Sequence, residues 1–292
     1  MTSARGLTAC VLALLAAPLA SAADLRLETS TTWAENITRA SAASDWRDAH
    51  RHEARVVGGL FREWTTGFLT SGELDAGLEY TSKFTGLNTT SFGFSGQARQ
   101  KFGFGAYAPT VSVDAGLRYR DQRLDFADGW TATAGLRVGK RLTQAWRIAA
   151  AGDWQQTYAQ SHIFDTRHHR LFATVTWDIN NWLQLSHGNG RLWGDFTANA
   201  SSGVWARAIS GDFGPDIFAY YNTVSWGVTN LFGPAWVTYR VTGRVSFWWL
   251  ELSPVLGPNT SLPIRYDSLF SVNKVGIKYR QDQWSVSLLH RF

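Results

Sequence analysis

The sequence predicts an all-β protein: a closed antiparallel transmembrane β-barrel of about 12–14 strands, in one domain. Three observations predict this class. Long segments alternate between apolar and polar residues with a period of two, which places the two kinds on opposite faces of a strand. Aromatic residues make up 14% of the chain, yet no apolar run of membrane-helix length follows residue 22. The last nine residues also alternate, and they end on Phe292.

The first 22 residues are predicted to be a cleaved signal peptide, which leaves residues 23–292 for the barrel. Arg5 provides the positive n-region, residues 7–20 are apolar, and Ala20-Ser21-Ala22 is a small-residue cleavage site. The segment that ends at Cys10 resembles a lipobox, but the apolar core follows this cysteine instead of preceding it. Cys10 is the only cysteine, so the mature chain has neither a disulfide framework nor a thiolate metal site.

About thirteen later segments fit two-faced strands. They are residues 25–33, 55–64, 68–82, 90–104, 111–120, 130–141, 146–158, 170–178, 182–196, 217–229, 237–249, 268–280 and 284–292. A barrel with both ends on one side of the membrane has an even number of strands. Either Val204–Ile209 adds a strand to give fourteen, or two of the segments are one strand and there are twelve. Long and short connections alternate through the first nine strands, as in such barrels.

The clearest alternation, in residues 68–82, assigns the two faces. Leu74, Leu78 and Tyr80 lie on one face, and carboxylates lie on the other. Carboxylates cannot face lipid, so that face is the lumen. The same argument gives a lumen-facing charged set: Glu73, Asp75, Glu79, Arg99, Lys101, Asp114, Arg118, Arg120, Arg137, Arg141, Arg147, Asp153, Arg170, Asp178, Arg240, Arg244, Lys274 and Lys278. In a regular hairpin, Glu73 and Asp75 should lie beside Lys101 and Arg99.

Several tryptophans stand at strand ends, where an amphipathic ring suits the level of the lipid headgroups. They are Trp64, Trp130, Trp146, Trp177, Trp182 and Trp236. A soluble sandwich would need one solvated face on each sheet. Many of these strands carry bulk or charge on both faces, which favours the membrane barrel.

The C-terminal stretch resembles the terminal strand of Gram-negative outer-membrane β-barrel proteins, which their assembly machinery reads. Trp284, Val286, Leu288 and Phe292 share one face and would form this assembly signal. The resemblance implies a place in the outer membrane of a Gram-negative bacterium. The partners would be outer-membrane lipid, lipopolysaccharide and the barrel-assembly machinery, with no nucleic acid. Residues 31–39, followed by Ser44-Asp45, are similar to the opening strand of uncharacterised porin-like barrels, some associated with exopolysaccharide export.

One stretch is similar to a catalytic motif. Ser186-His187-Gly188-Asn189-Gly190 resembles the His-x-Ser-Asn-Gly motif of outer-membrane phospholipases, which needs a serine two residues after the histidine. Position 189 is Asn, and the adjacent Ser186 and His187 should point to opposite faces. The pair His168-His169 should diverge in the same way. We therefore expect no catalytic residues, no metal and no cofactor.

The interior charges suggest a function. Cations outnumber anions in the lumen-facing set, so the sequence predicts a porin-like passive channel for small solutes with a mild anion preference. If the charges instead cross-link the lumen, the alternative is a non-conducting structural or assembly barrel whose loops bind partners. A lipid-modifying enzyme would require a Ser–His pair on one face.

Overall fold

The chain forms a closed barrel of twelve antiparallel strands, seen in a computed structural model that describes residues 23–292. The barrel strands are β1 (Ala23–Ala34), β2 (Ala49–Thr65), β3 (Phe68–Thr81), β4 (Thr89–Lys101), β5 (Thr110–Gln122), β6 (Gly129–Arg141), β7 (Trp146–Ala159), β8 (Thr166–Asn180), β9 (Leu183–Ala200), β11 (Val237–Gly257), β13 (Ile264–Asn273) and β14 (Lys278–Arg291). Two short strands, β10 (Trp226–Val228) and β12 (Thr260–Ser261), supplement this ring. Each barrel strand pairs with its neighbours, and β14 pairs with β1 to close the ring.

Most connections at one end of the barrel are longer than those at the other end, as the sequence predicted. The loop end carries residues 35–48, 82–88, 123–128, 160–165, 201–236 and 274–277. The turn end carries residues 66–67, 102–109, 142–145, 181–182 and 258–263. The predicted signal peptide lies outside the described residues. Within residues 23–292, no helix is both long enough and apolar enough to cross a membrane.

The strand number is settled by the loop between β9 and β11. Residues predicted as strands there form two helices, α1 (Ser202–Ser210) and α2 (Pro215–Tyr221). Trp205 and Ala208, three residues apart, share the buried side of α1, which is helical periodicity. Of the predicted strand 217–229, only β10 is extended, and it pairs with β11 alone. The prediction of strands here was therefore wrong, and the ring has twelve strands.

The C-terminal hairpin also differs from the prediction. The break predicted between the segments 268–280 and 284–292 lies inside β14, and the actual turn is at residues 274–277. The Asn273 side chain makes this turn, because its Oδ1 accepts the backbone N–H groups of Val275 and Ile277. The stretch between the predicted segments 237–249 and 268–280 is mostly extended, since β11 continues to Gly257 and β13 begins at Ile264.

Apolar side chains cover the outside of the barrel. Phe94, at the middle of β4, is 58% exposed, and Leu78 and Leu117 are exposed on the neighbouring strands. Trp64, Trp130, Trp146, Trp177 and Trp182 are exposed as well. Trp236 instead is 6% exposed within the loop end, so its predicted place at a lipid interface was wrong. The apolar outer surface is what a barrel that spans a membrane presents to lipid.

The last strand places its aromatic and aliphatic residues on this outer surface. Trp284, Val286 and Leu288 are exposed, and Trp284 pairs with Trp33 where β14 meets β1. Phe292 follows the strand, and its N–H donates to the Leu25 carbonyl. The terminal residues therefore form part of the seam that closes the barrel.

Glycines on β9 provide space for large rings on β11. Trp249 lies opposite Gly188, and Phe247 lies opposite Gly190. A Cβ atom added to Gly188 would stand 2.0 Å from the Trp249 ring. Both rings are inside the barrel, and Trp249 is only 8% exposed. The β9 glycines thus permit a tight aromatic contact across the sheet.

We expect Gly188→Ala to destabilise the barrel by about 1–3 kcal/mol, because the added methyl group overpacks against Trp249. Unfolding by urea in detergent micelles measures this change. Gly257→Ala is the matched control, since the space around a Cβ atom at Gly257 is open. Equal stabilities for the two variants would contradict the contact.

We expect Phe94→Arg to impair folding into lipid vesicles, because an arginine near the midplane of lipid costs about 2–4 kcal/mol. Gln97→Arg adds the same side chain on the inner face of the same strand, and it should change folding much less. The measurement is the folded fraction in vesicles against urea concentration. Similar losses in both variants would refute the assignment of the two faces.

Candidate functional site: the barrel interior

Ion pairs on the inner face join strands that are not neighbours. Arg26 on β1 reaches across β2 to Glu73 on β3, with Nη2 2.9 Å from Oε2. Arg118 on β5 reaches across β4 to Asp75 on β3, also at 2.9 Å. Only a concave surface brings alternate strands so close, so these charges identify the lumen.

Asp75 is the most enclosed carboxylate of this wall. It is 7% exposed, and it lies between Arg118 and Arg55 of β2. Gly93 leaves the space that the carboxylate fills, because a Cβ atom there would be 2.3 Å from Asp75 Oδ2. Arg55 also pairs with Glu28 of β1. One connected network therefore crosses β1, β2, β3 and β5.

The predicted partners of Glu73 and Asp75 were wrong. In the β3–β4 register Glu73 lies opposite Ser95, and Asp75 lies opposite Gly93. Arg99 lies opposite Leu69, nearer the turn end. The distance along β4 separates Arg99 and Lys101 from the two carboxylates.

A second set of charges lies on the inner face from β6 to β9. Asp178 accepts hydrogen bonds from Arg141 and Arg147 near the turn end, and Gln184 also donates to it. Further along the barrel, Arg170 binds Asp153 through Nε and Nη2. These pairs are reached by water, so each contributes modestly to stability.

Aromatic rings form the opposite wall of the lumen. The rings of Phe247 and Trp249 stack at 5.9 Å, and Phe172 contacts both. The Arg170 guanidinium lies 4.8 Å from the Phe172 ring centre, and that of Arg265 lies 4.7 Å from the Trp249 ring centre. Each of these cations also pairs with a carboxylate, Arg170 with Asp153 and Arg265 with Asp267, so the wall is apolar and its charges are neutralised.

Most residues of the predicted lumen set lie on inner-face positions of their strands. They are Glu73, Asp75, Glu79, Arg99, Lys101, Asp114, Arg118, Arg120, Arg137, Arg141, Arg147, Asp153, Arg170 and Asp178. Their placement follows from the strand registers and from the ion pairs described above.

Four residues of that set lie elsewhere. On β11, Arg240 and Arg244 alternate with the buried Tyr239, Val245 and Trp249, so they face outward. The two faces of β11 are exchanged relative to the prediction, because the β9 glycines leave space in the lumen for the apolar side chains of β11. Lys278 pairs with Val272 on the outer face, and Lys274 lies in the turn before β14.

The lumen-facing set predicted from the sequence did not include the charged residues of β1, β2 and β13. The inner face includes Arg26 and Glu28 on β1, Arg51, Glu53 and Arg55 on β2, and Arg265 and Asp267 on β13. The sequence does contain a pattern that indicates an inner face there, because charged residues recur at every second position in 24–28, 51–55 and 265–267. The first strand was recognised without a reading of its two faces, and 265–267 fell in a predicted loop.

Loops from opposite sides of the barrel meet above the lumen. Leu231, Phe232 and Trp236, from the β9–β11 loop, form an apolar cluster with residues of four other loops. Phe84, in the loop between β3 and β4, packs edge-on against Phe232 at 5.0 Å. The β3–β4 and β9–β11 loops lie diametrically opposite in the ring. The cluster therefore crosses the mouth of the barrel at the loop end.

The stretch similar to the phospholipase motif does not bring its serine and histidine together. Ser186 faces inward and its hydroxyl donates to Thr176 Oγ1 at 3.2 Å. His187 is exposed on the outer face, where its ring lies 6.3 Å from that of Trp248. The two side chains lie on opposite faces of β9, as the sequence predicted.

The fold is similar to that of known outer-membrane channels. The barrel matches an outer membrane channel from Pseudomonas putida F1 with a TM-score of 0.58 and 9% identity, over 94% of this chain and 97% of that chain. Weaker matches, each with a TM-score of 0.45, are the KdgM porin in complex with disordered oligogalacturonate (9% identity, 91% of this chain and 99% of that chain) and the NanC porin (10% identity, 91% and 100%). No family profile matches the sequence, and no curated protein matches it significantly. At such low identity the likeness concerns the fold alone.

We expect Asp75→Asn to destabilise the barrel by about 1–3 kcal/mol, because it leaves two arginines without their shared carboxylate. Urea unfolding measures the loss. Asp48→Asn is the matched control, since the Asp48–Lys83 pair is half exposed on the loops and should contribute little. If the control loses as much as Asp75→Asn, the inner network does not stabilise the fold.

Proposed function

We propose that this protein is an outer-membrane, porin-like passive channel for small solutes with a mild anion preference. The observation that carries the proposal is a wet, charged interior inside a closed barrel with an apolar exterior. Arg99 and Arg137 face the lumen and are nevertheless exposed to water. Both lie near the turn end, where a mouth filled by packed side chains would bury them.

The anion preference is supported by lumen cations that have no carboxylate within 4.0 Å. Within residues 23–292, Arg99, Arg120 and Arg137 form no salt bridge. Lys101 is a fourth such cation, and Glu53, Glu63 and Asp114 are the described inner-face carboxylates in the same condition. The remaining lumen charges largely neutralise one another, so the unpaired arginines bias the field toward anions.

The outer membrane is the location that fits this exterior, because a closed barrel satisfies every backbone hydrogen bond within lipid. We infer contact with outer-membrane lipid and lipopolysaccharide, and assembly by the machinery that reads the terminal strand. Ser186 and His187 lie on opposite faces of β9, which supports a channel over a lipid-modifying enzyme.

The apolar cluster over the mouth favours a second candidate, a non-conducting barrel whose loops bind partners. Five loops contribute to this cluster, which joins opposite sides of the barrel at the loop end. If the cluster seals the whole mouth, solutes cannot pass. Conduction therefore requires either gaps beside the cluster or its opening.

Planar bilayers with the purified protein distinguish these two functions. We expect discrete conductance steps and, under a KCl gradient, a reversal potential on the anion-selective side. The absence of conductance at any voltage would favour the non-conducting barrel, and a cation-selective reversal potential would refute the anion preference. Liposome swelling with sugars of increasing size then gives the size limit.

A further inference from the structure

Three cations lie close together on the outer face of the barrel near the loop end. Arg191 is on β9, Arg244 is on β11 and Lys278 is on β14. In the strand registers Arg244, Val272 and Lys278 form one row across three neighbouring strands, and Arg191 lies opposite Ser246. Strand spacing then separates the Cα atom of Arg244 by about 7–8 Å from that of Arg191 and by about 10 Å from that of Lys278.

The side chains of these cations point away from the lumen. Val245 follows Arg244 and Tyr279 follows Lys278, and both of these apolar residues are buried on the inner side of the barrel. Successive residues of a strand occupy opposite faces, so the two cations are on the outer face. Arg191, Arg244 and Lys278 are all exposed.

Carboxylates do not neutralise the three cations. Among residues 23–292, none of the three has a carboxylate oxygen within 4.0 Å. The acidic side chains on this part of the outer face have other partners, because Asp282 pairs with Arg280 at 2.7 Å and Asp195 accepts a hydrogen bond from the Thr242 hydroxyl. Glu35 lies beside Asp282, since its N–H donates to the Asp282 carbonyl. Arg191, Arg244 and Lys278 therefore keep their positive charge available.

A row of aromatic side chains lies next to the cations, on the side of the turn end. The rings of Trp248 and Tyr266 are 5.2 Å apart, and those of Tyr266 and Trp284 are 4.9 Å apart. Trp248 and Trp284 are exposed. Such rows mark the level of the lipid headgroups. Arg244 is four residues nearer the loop end than Trp248, so it reaches headgroups and not acyl chains.

The length of β11 gives the same level for Arg244. Leu256 is exposed near the turn end, and Arg244 lies twelve residues from it along the strand. Twelve residues of a strand tilted by roughly 40° rise about 30 Å along the barrel axis. The apolar band of such barrels is about 25 Å tall, so Arg244 lies beyond its edge.

The cations are concentrated on one side of the barrel. On the other side, the outer faces of β3, β4, β5 and β6 at the loop end carry Tyr80, Tyr119 and Trp130, and these four strands have no Lys or Arg there. A general need for a polar surface would distribute cations around the ring. Their concentration on β9, β11 and β14 therefore indicates a local binding site.

We propose that Arg191, Arg244 and Lys278 bind the phosphate groups of lipopolysaccharide in the outer leaflet. The longer loops of such barrels are extracellular, so the loop end meets the leaflet that contains this lipid. Guanidinium groups bind phosphate oxygens in pairs, and an ammonium group adds a point charge. Trp248 and Phe270 are exposed beside the cations and provide apolar contact for the lipid. The inference rests on the proposed outer-membrane location, and it does not require conduction.

The test titrates the full-length protein in a non-ionic detergent with purified diphosphoryl lipid A, and native mass spectrometry measures the bound fraction. We expect saturable binding by the wild type. Arg244→Gln should raise the Kd roughly tenfold, the loss of one charged hydrogen-bonded contact. Arg244→Lys, which keeps the charge but loses the planar fork, should fall between the two. Lipid A without its phosphates should bind the wild type as weakly as it binds Arg244→Gln.

Lys140→Gln is the matched control, because Lys140 is an exposed outer-face cation at the turn end of β6. It should bind lipid A like the wild type. Equal affinities of Arg244→Gln and Lys140→Gln would refute the site, and so would equal binding of the lipid without phosphates. Inorganic phosphate that competed at the concentrations of lipid A would indicate a site for free anions and refute the lipid partner.

Two further measurements separate this inference from the proposed function. Arg244→Gln should conduct like the wild type in planar bilayers, because Arg244 lies outside the lumen, and a changed conductance would contradict that placement. If the wild type does not conduct but Arg244→Gln still weakens lipid A binding, the channel is refuted and the lipid site stands. Recovery of the protein outside the outer-membrane fraction of cells would refute the location and lipopolysaccharide as the partner.

Discussion

The structure depends on the pairing of the last strand with the first. When β14 joins β1, each strand of the ring has a neighbour on both sides, and no sheet edge is left with unpaired backbone groups. In lipid an unpaired N–H or C=O costs several kcal/mol, so closure is the condition under which apolar residues can cover the outside. Trp284 and Trp33 lie side by side on the outer face of this seam.

Closure also makes the interior concave, so that side chains on strands that are not neighbours can contact one another. Arg26 and Glu73, or Arg118 and Asp75, are separated by an intervening strand and still form close ion pairs. The same curvature crowds large rings, so Trp249 needs Gly188 opposite it. The result is a charged wall facing an aromatic wall.

The loop end narrows this interior by two different means. Apolar side chains from opposite sides of the loop end meet in the cluster around Phe232, which covers part of the mouth. Beside it, hydrogen bonds of Asn36 and Asn199 tie the turn at residues 36–40 to β14 and β9. Apolar packing holds the loops in the first case, and buried hydrogen bonds hold a loop in the second. Both depend on loops that reach far from the strands that carry them.

Much of the fold could be read from the sequence because period-two alternation is a local property. Glu73, Asp75 and Glu79 among apolar residues fix the two faces of β3 without knowledge of its neighbours. The same prediction was wrong on β11, where it assigned Arg240 and Arg244 to the lumen. The faces of that strand are set by the glycines of β9, a contact between residues far apart in the chain.

The sequence by itself determined the architecture: two-faced strands, a closed antiparallel barrel and a terminal strand that ends on an aromatic residue. Only the tertiary structure decided the strand number, the ion-pair partners and the path of the first loop. A strand shows its alternation wherever it lies, whereas partners across a lumen and the path of a loop depend on register and curvature. Those two properties exist only once the sheet has closed.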